Sequence, residues 1–294
     1  MVRIPTGTTV PLHYDSVFRW VFADPHHRQV LATFLRAAMP EVPAEEWSTL
    51  ALPSTHLLRD APGSAEAVLD LHVTTAAISS LDVELQWSSV PAARERFVFY
   101  NARQLAGQLG AGEQYTALRP VVTVAICGFV LIWEDTHYRH TFVDYDADHG
   151  VRFTDIRQVR TLEIPKLPEC DDGTDLWDWL RLIAADTEED MDMAAERNAD
   201  VADAAVLVRE FSADDDRRYE ALAREKFLRD QATREAWGRQ QGLAAGLEQG
   251  RAEGRTEGRT EVARNALGMG MPVGQVCDLT GLTPSEIDRL ADEP

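Results

Sequence analysis

The stretch AVLDLHVTTAAISSLDVELQW, residues 67–87, carries the pattern that decides the fold. Ala67, Leu69, Leu71 and Val73 alternate with Val68, Asp70, His72 and Thr74. After a short reversal, Leu81, Val83, Leu85 and Trp87 alternate with Asp82, Glu84, Gln86 and Ser88. Period-two alternation marks half-buried strands, so each strand carries its polar set on one face. A one-residue slip would turn every side chain over, and the register therefore follows from which pairing buries the aliphatic set. Placing Asp70 opposite Glu84 does this. It also sets His72 against Asp82 and Val68 against Gln86, with Ala76, Ala77 and Ile78 as a tight loop. Two carboxylates opposed across a ladder stand roughly 5 Å apart at Cβ and repel. A divalent cation is the expected offset.

Upstream, residues 14–39 predict two amphipathic helices. Val17, Phe18, Val21 and Phe22 mark one face; Val30, Leu31, Phe34, Leu35 and Ala38 mark the next. Pro25 sits near the break and Pro40 is a stop signal. Residues 47–58 read as an extended segment that Pro53 keeps off a central strand. Downstream, Pro91 opens a helix over about 92–109 that leaves through Gly110 and Gly112. Arg96, Tyr100 and Gln104 share one of its faces. The apolar run 121–126 predicts an interior strand of a parallel or mixed sheet. A polar strand pair over 137–146 and 150–153 and a last strand over 158–164 complete an α/β domain, a mixed sheet flanked by helices, over 1–168.

Beyond Asp171 the signals are helical only, and they divide into an extension over 169–240, a glycine repeat over 241–261 and a small tail over 262–294. Gly242, Gly246, Gly250, Gly254 and Gly258 fall every fourth residue. In a helix that spacing draws a stripe suited to close backbone contact between two helices, a route to a homo-oligomer. The alternative is a weakly helical linker, because each interior glycine costs about 1 kcal/mol. In the tail, Gly281 turns the chain and Thr283 precedes Glu286 at capping-box spacing. This outlines a helix-turn-helix, although its acidic last helix, PSEIDRLAD, reads better as a packing or oligomerisation unit than as a DNA-recognition helix.

The chain of 294 residues has a formal net charge of −20, of which −15 falls after Pro168. Such a balance excludes a protein that coats nucleic acid by charge alone. Cys127, Cys170 and Cys277 are too scattered for a disulfide framework or a zinc site. The start MVRIPTGTTV lacks a signal-peptide core, and the run 121–133 is too short to span a bilayer. A cytoplasmic chain without membrane contact is the expectation. His26–His27 and His137/His140 have no convergent partners in the sequence, and strand parity puts the last two on opposite faces. LGMGM at 267–271 opens no phosphate-binding loop.

On their own, acids on a hairpin need no chemistry; a solvated face accounts for them. The flanking segments add weight. YDSVFRWVFADPHHRQVLATFLRAAMP, then VLDLHV and DVELQ, then RFVFYNARQLAGQLGAGEQYTALRPVVTVAI resemble, in order and spacing, the recombination-promoting nuclease and transposase family of the PD-(D/E)XK nuclease superfamily. The resemblance covers about 160 residues, fades near Pro168 and returns in the glycine-repeat tail. It implies a restriction-endonuclease-like fold and a metal-dependent DNA endonuclease linked to recombination or transposition, with Mg²⁺ or Mn²⁺ as cofactor and DNA as partner. Residue by residue, it puts Asp70 at the metal-binding aspartate and Glu84 at the acid of the ExK element. Gln86 falls at the lysine position, and Asp15 matches an additional acid ahead of the core. Arg96 and Tyr100 fall on a polar helix face beside the site. This chain departs from the family pattern at Leu105, where many members carry tyrosine, and in the loop AAIS, which lacks the usual Asp-Gly turn.

The residue types suit the chemistry. Mg²⁺ takes oxygen ligands and keeps several waters, so two carboxylates suffice as anchors. Gln86 can orient a water or a phosphate oxygen but adds no charge, so slow turnover is expected. Arg96 is open to two readings, a phosphate contact or a surface ion pair. The competing function is a catalytically silent adaptor that self-associates or binds DNA through its helical tail.

Overall fold

The structure is a computed structural model describing residues 9–53, 56–57, 67–68 and 70–292. Leu58 and Leu69 lie outside these. The chain runs α1 (Asp15–Phe22), α2 (Arg28–Ala38), α3 (Ala44–Trp47), β1 (His56–Leu57), β2 (Ala67–Val68), β3 (Leu71–Val73), β4 (Ser80–Gln86) and α4 (Ala93–Ala106). It continues through β5 (Val121–Cys127), β6 (Arg139–Tyr145), β7 (Arg152–Glu163), α5 (Asp175–Ala184), α6 (Glu188–Ala195) and α7 (Ala199–Ala213), then α8 (Asp215–Gly268), α9 (Val273–Thr280) and α10 (Pro284–Asp292).

Five strands form one sheet in the order β3-β4-β5-β7-β6. The two outer pairings are antiparallel, while β4, β5 and β7 run parallel. The parallel centre is where sequence predicts it: β5 is buried along its whole length, as a strand covered on both faces must be. β3 and β4 pair with His72 opposite Asp82 and Leu71 opposite Val83, the parity expected from the alternation. The ladder is shorter than expected. Val68 does not reach Gln86; it pairs with His56 in a separate two-stranded ladder. The chain leaves β4 at Asp70, whose carboxylate accepts the Leu85 N–H at 3.0 Å. The two strand segments expected over 150–164 are one strand, β7, whose pairing with β6 is broken by register shifts around Asp144. Such a bulge absorbs an extra residue and lets a long strand continue.

The sheet separates two environments. One face, with Leu81, Val83, Val122, Val124, Ile126 and Leu162, packs into the main core. That core also takes Phe18 and Phe22 of α1, Phe34 of α2, Trp179 and Ile183 of α5 and Val208 of α7. Each such side chain contributes about 1.5–3 kcal/mol by leaving water. Helices α5 to α7 thus share one core with the sheet, so the structure shows no division at Pro168. The compact units are instead 1–225 and 226–294. The sequence showed helical signals over this stretch but not what these helices cover.

The other face is polar along β4 and is covered by α4. The register carries Asp82 beside Thr123, Glu84 beside Ala125 and Gln86 beside Cys127. The buried side of α4 answers with Phe97, Asn101 and Gln104. Asn101 donates to Thr123 Oγ1 at 3.2 Å and to the Gln158 carbonyl at 2.9 Å. Gln104 bonds Ser80, which bonds His72 Nε2 at 2.9 Å. At the end of β5, a Cβ on Gly128 would lie 2.5 Å from the Trp87 carbonyl oxygen and 2.8 Å from its ring. Gly128→Ala is expected to cost about 1–3 kcal/mol, as overpacking against backbone does, read as a lowered urea midpoint.

In the second unit, the glycine-repeat stretch is helical throughout, within α8. Cβ atoms placed on Gly242, Gly246, Gly250, Gly254 or Gly258 would meet nothing within 4 Å. Ala263, Ala266, Val276 and Ile287 make a small core with α9 and α10. Gly281 adopts φ +66°, which suits a residue without Cβ, and the Thr283 N–H donates to Glu286 Oε2 at 2.7 Å, the glutamate half of the expected capping box.

Candidate metal and nuclease site

Asp70 and Glu84 stand where β3 and β4 part. The Asp70 N–H points at Glu84 Oε1, 3.4 Å away. Arg19 Nη2 lies 3.0 Å from Asp70 Oδ1, and Arg96 Nη2 lies 3.2 Å from Glu84 Oε2. The two acids are therefore adjacent, each with an arginine on one oxygen and a backbone N–H on the other. Arg19 also holds Asp15 at 2.9 Å through Nε, one helical turn back on α1. Asp15 Oδ2 takes a second arginine, Arg224, at 3.1 Å. Asp15 thus reaches the site through Arg19. The Arg96 guanidinium carbon sits 5.9 Å from the Tyr100 ring centroid, within cation–π range. Gln86 turns along the chain instead, its amide donating to the Ser88 carbonyl at 2.9 Å.

Asp82 is the residue that sequence reasoning left out of the site. It is completely buried, and its carboxyl shares a hydrogen bond with the carboxyl of Glu84. Burial, then the charges of Glu84 and Asp70, hold its carboxyl well above the usual range. Burial and the charge of Asp70 push Glu84 up to about 7. Asp70 is raised too, by burial, with the Leu85 N–H and Arg19 acting against the shift. The signal for Asp82 was its parity with Glu84; its burial depends on α4, which no local pattern shows. Arg19 was legible only as the residue four places after Asp15.

This donor set fits a divalent cation. All the donors are carboxylate oxygens, the preference of Mg²⁺ and Mn²⁺. Three acids gathered on one face with two arginines hold protons that a divalent cation would displace, since burial and mutual repulsion raise all three carboxyls. Asp70 and Glu84 would hold the ion, with Asp82 behind Glu84. A cavity of about 240 Å³ elsewhere on the α4 face, lined by Phe97, Leu131 and Phe142, includes none of these acids.

A second cluster corrects the expectation for the histidines. His137 and His140 do converge, on Asp135. Strand parity does not apply to them, because β6 begins at Arg139 and His137 lies in the preceding loop.

A mixed sheet flanked by helices, with acids on neighbouring strands beside a polar helix, is the restriction-endonuclease-like fold. Residues 12–235 match the family described as PD-(D/E)XK nuclease family transposase, and the chain belongs to that family. No curated protein and no solved structure matches the chain. No helix among the described residues is long and apolar enough to cross a membrane.

Proposed function

We propose that the chain is a DNA endonuclease dependent on Mg²⁺ or Mn²⁺, acting in recombination or transposition in the cytoplasm. The observation that carries this reading is the adjacency of Asp70 and Glu84 on one face, where burial and mutual repulsion raise both carboxyls. When bound, the ion supplies a Lewis acid at the scissile phosphate and a bound water of lowered pKa. Asp70 and Glu84 anchor the site from two strands. Asp15 acts indirectly, fixing the Arg19 fork on Asp70. Arg96, held between Glu84 and Tyr100, offers guanidinium to a phosphate oxygen beside the acids. Gln86 reaches substrate by exchanging its bond to the Ser88 carbonyl for one to water or phosphate. With a net charge of −20, binding rests on these local groups rather than on a basic surface. The unbroken glycine-striped α8 supports self-association through the tail.

The turned-away Gln86 favours one competing reading, a silent nuclease fold serving as an adaptor. Supercoiled plasmid titrated with Mg²⁺ separates the two. Wild type should nick it, and Asp70→Ala should reduce nicking about a hundredfold or more, the scale of losing one preorganised electrostatic contact. Indistinguishable wild-type and Asp70→Ala traces would remove the enzyme reading.

A further inference from the structure

We propose that Asp135, His137 and His140 form a second cation site, for a zinc-class divalent ion, separate from the nuclease acids and not dependent on the nuclease reading. One ligand atom from each residue lies within 4.8 Å of the others. Asp135 Oδ2 is 2.8 Å from His140 Nε2 and 3.4 Å from His137 Nδ1. Donors about 2.0–2.2 Å from a tetrahedral zinc-class ion stand roughly 3.3–3.5 Å apart, so small side-chain shifts admit the ion. Two imidazoles and one carboxylate select this class over Mg²⁺, which prefers an all-oxygen shell. His137 is largely exposed and His140 largely buried, which leaves the fourth position open to water.

The independent observation is Glu163. It is completely buried at the end of β7, and its Oε1 has no hydrogen-bond partner among the described residues. That oxygen lies 3.5 Å from His140 Nδ1. Metal-bound histidines commonly turn their second nitrogen to a carboxylate, which fixes the tautomer and raises ligand basicity. Ligation through Nε2 would place the Nδ1 proton toward Glu163 Oε1. The other oxygen, Oε2, is already engaged by the Leu131 and Ile132 N–H groups at 2.8 and 3.1 Å and by Lys166 at 3.2 Å. Lys166 also stands 3.7 Å from Asp135 Oδ1. It neutralises that side of the carboxylate and leaves Oδ2 to the ion. In sequence Asp135, His137 and His140 are close neighbours, but the strand reading split the two histidines, and the supporting Glu163 comes from the end of another strand.

Co²⁺ is the probe, added to chelator-treated full-length protein free of any histidine tag. An Asp70→Ala/Glu84→Ala background removes binding at the nuclease acids. That background should still take up one Co²⁺ per chain with the intense visible bands of a four-coordinate site, and Zn²⁺ should displace it. Adding His137→Ala, an exposed position, should abolish the spectrum while the urea midpoint stays unchanged. Glu163→Gln, a positioning change, should keep the spectrum and weaken binding by about 10–100-fold. Absence of Co²⁺ bands in the background protein, or bands that survive His137→Ala, would overturn the assignment.

Discussion

In the presence of a chelator, the folded chain is expected to lose stability as pH rises from about 5 to about 8. Glu84 sets the sign. Its folded pKa is about 7 against an ordinary 4.5. Below the ordinary value both states hold the proton. Between the two values only the folded state holds it, so raising pH favours unfolding. Above about 7 both states are ionised and the loss is complete. An acid displaced that far contributes on the order of 3 kcal/mol, and Asp82 and Asp70 are shifted in the same direction. Groups held low, such as Asp24 and Asp146, act at more acidic pH and leave this window alone. Urea midpoints at pH 5 and pH 8 measure the effect. Glu84→Gln should flatten the slope and raise the midpoint at pH 8, and Mg²⁺ should do the same to wild type. A midpoint that rises with pH in chelator would refute the electrostatic picture of the site.

The same acids show what the sequence could reveal and what it could not. Alternation in LDLHV and LDVEL fixes parity, and parity alone brings Asp70, Asp82 and Glu84 to one face; the observed pairing of His72 with Asp82 follows from it. Ladder length is not contained in parity. Whether Val68 pairs with Gln86 or with His56 depends on where the Asp70 carboxylate finds a donor, and that donor is the Leu85 amide fifteen residues away. Burial is likewise a tertiary property. Asp82 looks like Glu84 in sequence, but α4 covers this face of the sheet, with Asn101 bonded to Thr123, the neighbour of Asp82 on β5. The boundary expected at Pro168 follows a real change in composition. Composition does not report that Trp179 packs against Phe22 and Phe34, with ring centroids 5.9 and 5.6 Å away. The Asp135 cluster is the extreme case, since its support, Glu163, lies 28 residues further along the chain and only the β6–β7 pairing brings it near.

Glu84→Gln is expected to reduce Mg²⁺-dependent plasmid cleavage by about 10²–10³-fold while making the metal-free protein more stable at pH 8. The opposite signs are the point. A buried carboxylate among like charges destabilises the fold, so its stabilising replacement should be easy to tolerate unless the charge serves a ligand. A variant lost through misfolding would show both activity and midpoint falling, whereas a lost metal anchor shows activity falling as the midpoint rises. Gln86→Lys probes the same balance from the other side. An ammonium at this position, in register with Cys127 and two residues beyond Glu84, adds the charge that the amide lacks. It would be drawn from the Ser88 carbonyl toward the acids. Roughly tenfold faster nicking is expected from a charge placed beside the reacting phosphate, with a higher urea midpoint at pH 8 in chelator because the acids gain a counter-charge. If Gln86→Lys raises the midpoint and leaves nicking unchanged, residue 86 neutralises the acids without touching substrate, and its assigned role on water or phosphate fails while that of Asp70 and Glu84 stands.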